Sequence, residues 1–236
     1  MSVGNIVIAG GSKGIGLELV KLLEPRAERI DVWSRTAGDL PASTKVRYAV
    51  CDFVDPNATL PELPEEIQGA VYCPGTINLR SFRSLQVADF RQDLEVNLIG
   101  AIRFLQACQP RLKGRDGAPA SVVLFSTVAV GQGMPMHASV AASKGAIEGL
   151  MRSLAAEWAP KIRVNAIAPA LTDTPLASRL LSTPEKREAM AARYPLKRIG
   201  TAEELAHAAM FLVSSESNWV TGQVLGVDGG MSSCRV

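Results

Sequence analysis

Residues 4–23 read Gly-Asn-Ile-Val-Ile-Ala-Gly-Gly-Ser-Lys-Gly-Ile-Gly-Leu-Glu-Leu-Val-Lys-Leu-Leu, an apolar run, a glycine-rich turn and a helical pattern in succession. This order is typical of a dinucleotide site, because glycines let the backbone approach a pyrophosphate and the helix N terminus directs free N–H groups at it. The same turn could also be purely structural. The turn residues that we expect to contact a dinucleotide are Gly10, Ser12, Lys13, Gly14, Ile15 and Gly16.

Outward from this turn, short apolar runs alternate with longer helical stretches along the whole chain. Further strands are predicted at residues 30–33, 46–50, 70–73, 121–125, 162–167 and 224–227, and helices at 85–112, 139–158 and 202–212. Such alternation indicates an α/β protein with a parallel sheet. We therefore predict a single Rossmann-type, doubly wound domain of about seven strands over residues 1–236, with its ligand beyond the carboxyl ends of the strands.

Composition narrows the function classes. The 236 residues carry 25 basic and 23 acidic side chains with no basic stripe, so small molecules are expected as partners rather than nucleic acid. The four cysteines are far apart and predict neither a metal site nor a disulfide framework. No apolar run approaches the roughly 18 residues of a membrane span, and strand-like sequence begins at Val3 without room for a signal peptide. We expect a cytoplasmic protein.

The end of the second strand indicates which dinucleotide is bound. Ser34 stands where a carboxylate would hold the ribose 2′-hydroxyl of NAD, and Asp31 comes too early in the strand to serve. Lys13 and Arg35 could instead hold a 2′-phosphate, although either could also be a solvated surface charge. The pattern therefore favours NADP(H).

Several later motifs resemble the short-chain dehydrogenase/reductase family, in particular its 3-oxoacyl-carrier-protein reductases. They are Val96-Asn97-Leu98, Val140-Ala-Ala-Ser-Lys144, Ile162-Arg-Val-Asn-Ala-Ile-Ala-Pro169, Pro195-Leu-Lys-Arg-Ile-Gly200 and Thr221-Gly222-Gln223 with Val227-Asp-Gly-Gly230. The resemblance spans nearly the whole chain. It implies the Rossmann-type fold, a nicotinamide cofactor and reduction or oxidation of a small substrate.

The family's active site holds an asparagine, a serine, a tyrosine and a lysine, and the resemblance assigns each to a position here. Asn97 matches the asparagine and Lys144 the lysine, while the serine aligns with Thr127, with Ser126 as the other hydroxyl. Val140 stands at the position of the tyrosine. The family's lysine binds the nicotinamide ribose and lowers the pKa of the tyrosine, which protonates the substrate oxygen. Valine cannot do so, and losing a general acid typically removes about 10²- to 10⁴-fold in rate.

Another group could supply the proton. His137 lies three residues before Val140, so one helical turn brings it towards the same face, and imidazole titrates near neutral pH. The alternative is a histidine that caps the helix or faces solvent. Ser139 is a poor acid, whereas Lys144, or a water held by Asn97, could deliver a proton directly.

The resemblance also implies further cofactor contacts. Asp52 and Phe53 follow the third strand at the place of the family's adenine contact, Gly75 belongs to Cys-Pro-Gly in place of Asn-Ala-Gly, and Thr172 matches a contact to the carboxamide. Residues 170–200 follow a strand end with weak periodicity. We interpret them as a substrate lid, with a mobile loop as the alternative.

Small residues at positions 141, 142, 145, 146 and 149 would let another backbone approach the helix 139–158. Family members pair this helix across a dimer and often form tetramers, with residues 225–230 resembling the second interface, so we expect a homo-oligomer. Intramolecular packing could equally explain the small residues.

The sequence as a whole leaves two functional hypotheses. The first is an NADP(H)-dependent oxidoreductase that acts on a 3-oxoacyl thioester or another small carbonyl with an atypical proton donor. The second is a non-catalytic NADP(H)-binding subunit.

Overall fold

In a computed structural model that describes residues 2–235, the chain forms nine strands and seven α-helices. The strands are β1 Gly4–Ala9, β2 Ala27–Ser34, β3 Val46–Val50, β4 Gly69–Tyr72, β5 Ala120–Phe125, β6 Ile162–Pro169, β7 Thr172–Asp173, β8 Gly200–Thr201 and β9 Val224–Val227. The helices are α1 Gly14–Leu23, α2 Val87–Leu94, α3 Gly100–Cys108, α4 Val128–Gln132, α5 Ala138–Trp158, α6 Pro184–Ala191 and α7 Ala202–Val213.

Seven of these strands form one parallel sheet in the order β3-β2-β1-β4-β5-β6-β9. The predicted Rossmann-type fold with seven strands is confirmed. The strand order reverses between β1 and β4. The carboxyl ends of β2, β1 and β4 are level, because Ala9 of β1 pairs with Trp33 of β2 and with Tyr72 of β4. Ligands of such sheets bind beyond the carboxyl ends at this reversal.

The sheet is covered on both faces, which explains why β4 and β5 are buried along their whole length and read as continuous apolar runs. One core contains Phe104 of α3 with Ile147 and Met151 of α5. The other contains Leu19 of α1 and Leu212 of α7. The helices thus lie in two layers around the sheet.

The stretch 85–112, which the sequence predicts as continuous helix, is interrupted. Between α2 and α3 the backbone widens into a π-helical turn, Glu95–Ile99. The Tyr72 hydroxyl donates to the carbonyl oxygen of Val96 at 2.7 Å, and a Cβ on Gly100 would collide with that hydroxyl oxygen. The turn fixes Asn97 with its side chain fully buried.

The segment 170–200 is more ordered than the sequence indicates. It contains β7, which pairs with β8, a 3-10 turn at Pro175–Ala177, and α6. No side chain of α6 is buried, so its sequence lacks the apolar periodicity that would predict a helix. Its remaining signals are Thr183, which caps it, and Pro184, which begins it. Arg187 ties α6 to Asp173 through an ion pair of 2.6 Å.

Within residues 2–235, no helix is both long enough and apolar enough to cross a membrane. That part of the chain also contains no group of three or more His, Cys, Asp or Glu side chains placed to hold a metal ion.

Candidate active site

A cavity of about 240 Å³ opens at the carboxyl edge of the sheet. Side chains from the first glycine turn, from the ends of β4, β5 and β6, and from α5 line it. The predicted site residues that it brings together are Ile15, Gly75, Ser126, Thr127, His137, Lys144 and Thr172. Val140 lies in the same wall, only 6% exposed, one helical turn before Lys144.

Lys144 is the cation at the base of this cavity. Its Nζ donates to the carbonyl oxygen of Phe125 at 2.8 Å, which anchors α5 to the end of β5. Burial lowers the pKa of Lys144 to about 8, and the nearby Cys73 and Asp93 oppose that shift. An ammonium with this pKa is a far better proton donor near neutral pH than an exposed lysine.

The two hydroxyls after β5 have different surroundings. Ser126 Oγ donates to Glu148 Oε1 at 2.7 Å, so its hydrogen is committed to α5. Thr127 Oγ1 accepts from the backbone N–H of Ala129 at 3.3 Å, which caps α4 and leaves its hydroxyl hydrogen available. Of the two alternatives, Thr127 is therefore placed to donate to a carbonyl in the cavity.

Asn97 lies behind the cavity wall formed by Gly75. Its Nδ2 donates to Thr76 Oγ1 at 3.0 Å and to Ser143 Oγ at 2.9 Å, while Oδ1 has no hydrogen-bond partner in the described chain. A Cβ on Gly75 would lie 3.5 Å from Asn97 Oδ1 and 3.4 Å from Lys144 Nζ. Glycine at this position therefore keeps the space beside both groups open.

His137 occupies the cap position before α5 and makes no capping hydrogen bond from its side chain. Its Nδ1 lies 2.8 Å from the carbonyl oxygen of Pro135, and because a carbonyl only accepts, Nδ1 carries the hydrogen. Nε2 is then the nitrogen that can exchange a proton. Ser139 is buried away from the cavity lining, and its hydroxyl has no partner among residues 2–235.

The glycine turn has the shape of a phosphate cradle. Gly10 and Gly14 have φ values of +73° and +54°, which disfavour other residues. A Cβ on Gly16 would collide with the carbonyl oxygen of Gly10. Lys13 precedes α1 without capping it, so backbone N–H groups at this helix end are free to bind a phosphate.

The residues predicted to bind the cofactor ribose at the end of β2 differ in exposure and pairing. Lys13 and Arg35 are exposed, and neither forms an ion pair anywhere in residues 2–235. Ser34 is buried, and its hydroxyl donates to the Thr36 carbonyl oxygen at 3.0 Å. Asp31 is paired with a neighbouring arginine in its own strand. Asp31 is therefore engaged within its own strand and does not reach the strand end.

Two further predicted contacts are limited by their surroundings. Asp52 Oδ1 accepts from the N–H of Val54 at 3.0 Å, which leaves its other oxygen available. The ring of Phe53 packs between Trp33 and Phe104 in the core, with ring centroids 6.4 and 5.9 Å away. Phe53 can therefore meet a ligand only through its main chain, a restriction that the sequence motif does not reveal.

Sequence reasoning missed the apolar wall of the cavity and two polar residues. The wall consists of Ile77, Leu79, Met134, Leu176, Leu180, Met190, Tyr194 and Met231, several of them from the segment 170–200. Thr76 lies in the cavity lining and Asp93 behind it. Thr76 follows Gly75 directly, so its position in the turn after β4 is a signal that could have been used.

Comparison with known proteins identifies the family. The model of the family described as enoyl-(acyl carrier protein) reductase matches residues 55–232. This chain is a short-chain dehydrogenase/reductase. It is 32% identical over 239 residues to the L-xylulose reductase of Bos taurus, covering 95% of this chain and 94% of that protein. It is also 32% identical to a 3-oxoacyl-[acyl-carrier-protein] reductase of Chlamydia muridarum, covering 96% of each.

A solved structure of the Pseudomonas aeruginosa protein RhlG, an active-site complex with NADP, is similar throughout. Its TM-score is 0.89 at 26% identity, and the match covers 98% of this chain and 97% of that one. With relatives named as reductases over nearly its whole length, this short-chain dehydrogenase/reductase is an oxidoreductase.

Proposed function

We propose that the protein is an NADP(H)-dependent reductase of a small apolar carbonyl substrate, such as a 3-oxoacyl thioester, and that its proton donor is a group other than the family's tyrosine, whose position Val140 occupies. The observation that carries the proposal is the cavity in which Thr127 and Lys144 meet beside the glycine turn. The unpaired Lys13 and Arg35 support NADP(H) over NAD(H), as does the NADP complex of the similar structure.

The proposed chemistry uses few groups. When bound, the nicotinamide supplies a hydride to the carbonyl carbon. Thr127 donates a hydrogen bond to the carbonyl oxygen and stabilises the negative charge that develops there. The proton then comes from Lys144 or from His137, both in the cavity lining, while Val140 has none to give. The donor regains its proton from water at the open side.

The cavity wall supports an apolar substrate. Methionine and leucine side chains from four segments form most of it, and methionine adapts to ligands of differing shape. Among the relatives, one is named for a sugar and another for an acyl chain. An acyl chain would gain from burial against this wall, whereas a polyol would lose hydrogen bonds to water without replacement.

A second candidate is a cofactor-binding subunit without turnover. Val140 favours it, because this residue stands where the family resemblance expects the tyrosine. Both candidates predict NADPH binding, and only the first predicts substrate-dependent consumption.

Oxidation of NADPH with a short 3-oxoacyl thioester separates them, with Val140→Tyr and Val140→Phe compared under identical conditions. We expect the natural protein to turn over, and the tyrosine variant to gain less than the roughly 10²- to 10⁴-fold that a general acid is worth, because another donor already acts. The phenylalanine variant should gain nothing, since it adds the ring without the hydroxyl. Turnover by the tyrosine variant alone would support the non-catalytic subunit instead.

The donor itself is found by two further variants. His137→Ala removes the imidazole at the cavity edge, whereas Lys144→Arg keeps the charge and raises the pKa beyond use as an acid. The variant that loses at least tenfold in kcat while NADPH affinity is kept identifies the donor. If both keep full activity, neither residue gives the proton.

A further inference from the structure

A buried carboxylate without an assigned role lies behind the cavity. Asp93 of α2 is 2% exposed, and its Oδ2 has no hydrogen-bond partner in the described chain. Burying an ionised carboxylate is costly unless its environment compensates for the loss of water. A polar side chain this deep in the protein therefore calls for a functional explanation.

Asp93 begins a continuous chain of hydrogen bonds that ends on α5. Its Oδ1 accepts from Thr76 Oγ1 at 2.7 Å, and Thr76 in turn accepts from Asn97 Nδ2 at 3.0 Å. Asn97 Nδ2 also donates to Ser143 Oγ at 2.9 Å, and Ser143 donates to the carbonyl oxygen of Val140 at 2.9 Å. Each hydrogen bond in this series has one direction from donor to acceptor.

That direction starts at the carboxylate. An ionised carboxylate only accepts, so Thr76 must give its single hydrogen to Asp93 and can only accept from the next group. The group that donates to Thr76 must then be the NH₂ end of the Asn97 amide. Its Oδ1 is consequently turned to the side of Gly75 on which Lys144 Nζ lies.

The same carboxylate acts on Lys144 through its charge. Its negative charge favours the ammonium form and so opposes the effect of burial on the pKa of Lys144. An ionised Cys73 would oppose this effect too, but burial raises the pKa of Cys73 to about 12, so Cys73 is a neutral thiol at pH 7 and exerts no charge on Lys144 there. His137 and Arg193 are the further titratable groups of the cavity lining besides Tyr194.

We propose that Asp93 and Thr76 are positioning residues, which orient the Asn97 amide so that Oδ1 faces Lys144. The negative charge of Asp93 supports this arrangement by favouring the ammonium form of Lys144. This inference rests on the proposed reductase function for its kinetic consequences. Its effect on the ionisation of Lys144 does not require turnover.

Three variants separate the two roles. Asp93→Asn removes the charge, Thr76→Val breaks the hydrogen-bond chain at nearly constant shape, and Thr76→Ser restores the hydroxyl. Asp116→Asn, at a side chain that is 92% exposed, is the matched control for loss of one carboxylate. Thermal melting of each variant establishes that it is folded.

The first measurement follows the ionisation of Lys144 without any substrate. Reductive methylation with formaldehyde over a range of pH, read by peptide mass spectrometry, gives the midpoint at which Lys144 becomes reactive, with the exposed Lys161 as internal standard. We expect Asp93→Asn to move that midpoint to lower pH by at least half a unit, and Thr76→Val and Asp116→Asn to leave it in place. An unmoved midpoint in folded Asp93→Asn overturns the electrostatic role.

The second measurement is steady-state kinetics with the 3-oxoacyl thioester. We expect Thr76→Val to lower kcat at least tenfold with NADPH affinity unchanged, Thr76→Ser to recover most of it, and Asp93→Asn to shift the alkaline limb of the pH profile downwards. Equal activity of the valine and serine variants overturns the orienting role. If the natural protein shows no turnover, the reductase proposal fails, and the same comparison is made in the Val140→Tyr background while the methylation result stands independently.

Discussion

At the scale of single residues, the site combines an inert side chain with a perturbed one. Val140 and Lys144 are one turn apart on α5, and both line the cavity. Valine cannot ionise, so the buried group on this part of α5 that can be charged beside Gly75 is Lys144. Desolvation, which lowers the pKa of this lysine, is therefore the effect that decides whether it can act as an acid.

The lowered pKa has a consequence for stability. In the unfolded chain Lys144 has the ordinary value of 10.5, and in the folded protein about 8, so the unfolded state binds the proton more tightly. Below pH 8 this difference destabilises the folded protein by about 3 kcal/mol, and the penalty disappears as pH rises from 8 to 10.5.

Lys144→Met should reveal this penalty, because methionine has no proton to lose. We expect the free energy of unfolding of the natural protein, relative to the variant, to rise by about 3 kcal/mol between pH 7 and pH 10.5. Denaturant titrations at a series of pH values measure it, with the exposed Lys161→Met as control. Parallel curves for natural protein and Lys144→Met would contradict the lowered pKa.

At the scale of elements, the first glycine turn decides how closely a phosphate can approach α1. The turn folds back on itself, so a Cβ on Gly16 would collide with the backbone of Gly10 and Gly11. Backbone atoms cannot move aside as a flexible side chain would. Any side chain at position 16 must therefore displace the turn.

Gly16→Ala should lower NADPH affinity at least tenfold, since the N–H groups of the turn move away from the phosphates. Fluorescence titration with NADPH measures the loss. Gly131→Ala is a suitable control, because a Cβ there meets no atom within 4 Å. Unchanged affinity in Gly16→Ala would place the cofactor elsewhere.

At the scale of the whole molecule, α5 leaves one face uncovered. Ala142 and Gly149 are exposed on it, and a Cβ on Gly149 would meet no atom within 4 Å. Intramolecular packing therefore does not account for the small residue at this position. Leu225 in the edge strand β9 is 36% exposed and the nearby Trp219 fully exposed. We propose that these two surfaces meet other copies of the chain.

Gly149→Arg should disrupt the pairing of α5 while leaving the fold intact, because the arginine has room within one chain and none between two close helices. Light scattering during gel filtration should show a dimer or tetramer for the natural protein and a smaller species for the variant. Glu157→Arg, on an exposed part of the same helix, tests whether added charge alone has this effect. A natural protein that runs as a monomer would refute the assembly.

The sequence by itself determined the sheet and the glycine turn, because each follows from a local pattern, an apolar run or a tight turn. Helical spacing places Val140 and Lys144 one turn apart, whereas the assignment of Thr127, Val140 and Lys144 to the site came from the family resemblance. It also kept Ser126 and Thr127 as alternatives, since spacing along the chain does not say where a hydroxyl points. The hydrogen bond to Glu148, 22 residues away, separates them.

Only the tertiary structure decided the rest. The π-helical turn at Glu95–Ile99, the core position of Phe53 and the link from Asp93 through Thr76 to Asn97 all depend on contacts between distant segments. The lowered pKa of Lys144 likewise arises from burial by several elements at once. The local sequence pattern indicates which secondary structure a segment forms. The burial and the direction of its side chains depend instead on the other segments that pack against it.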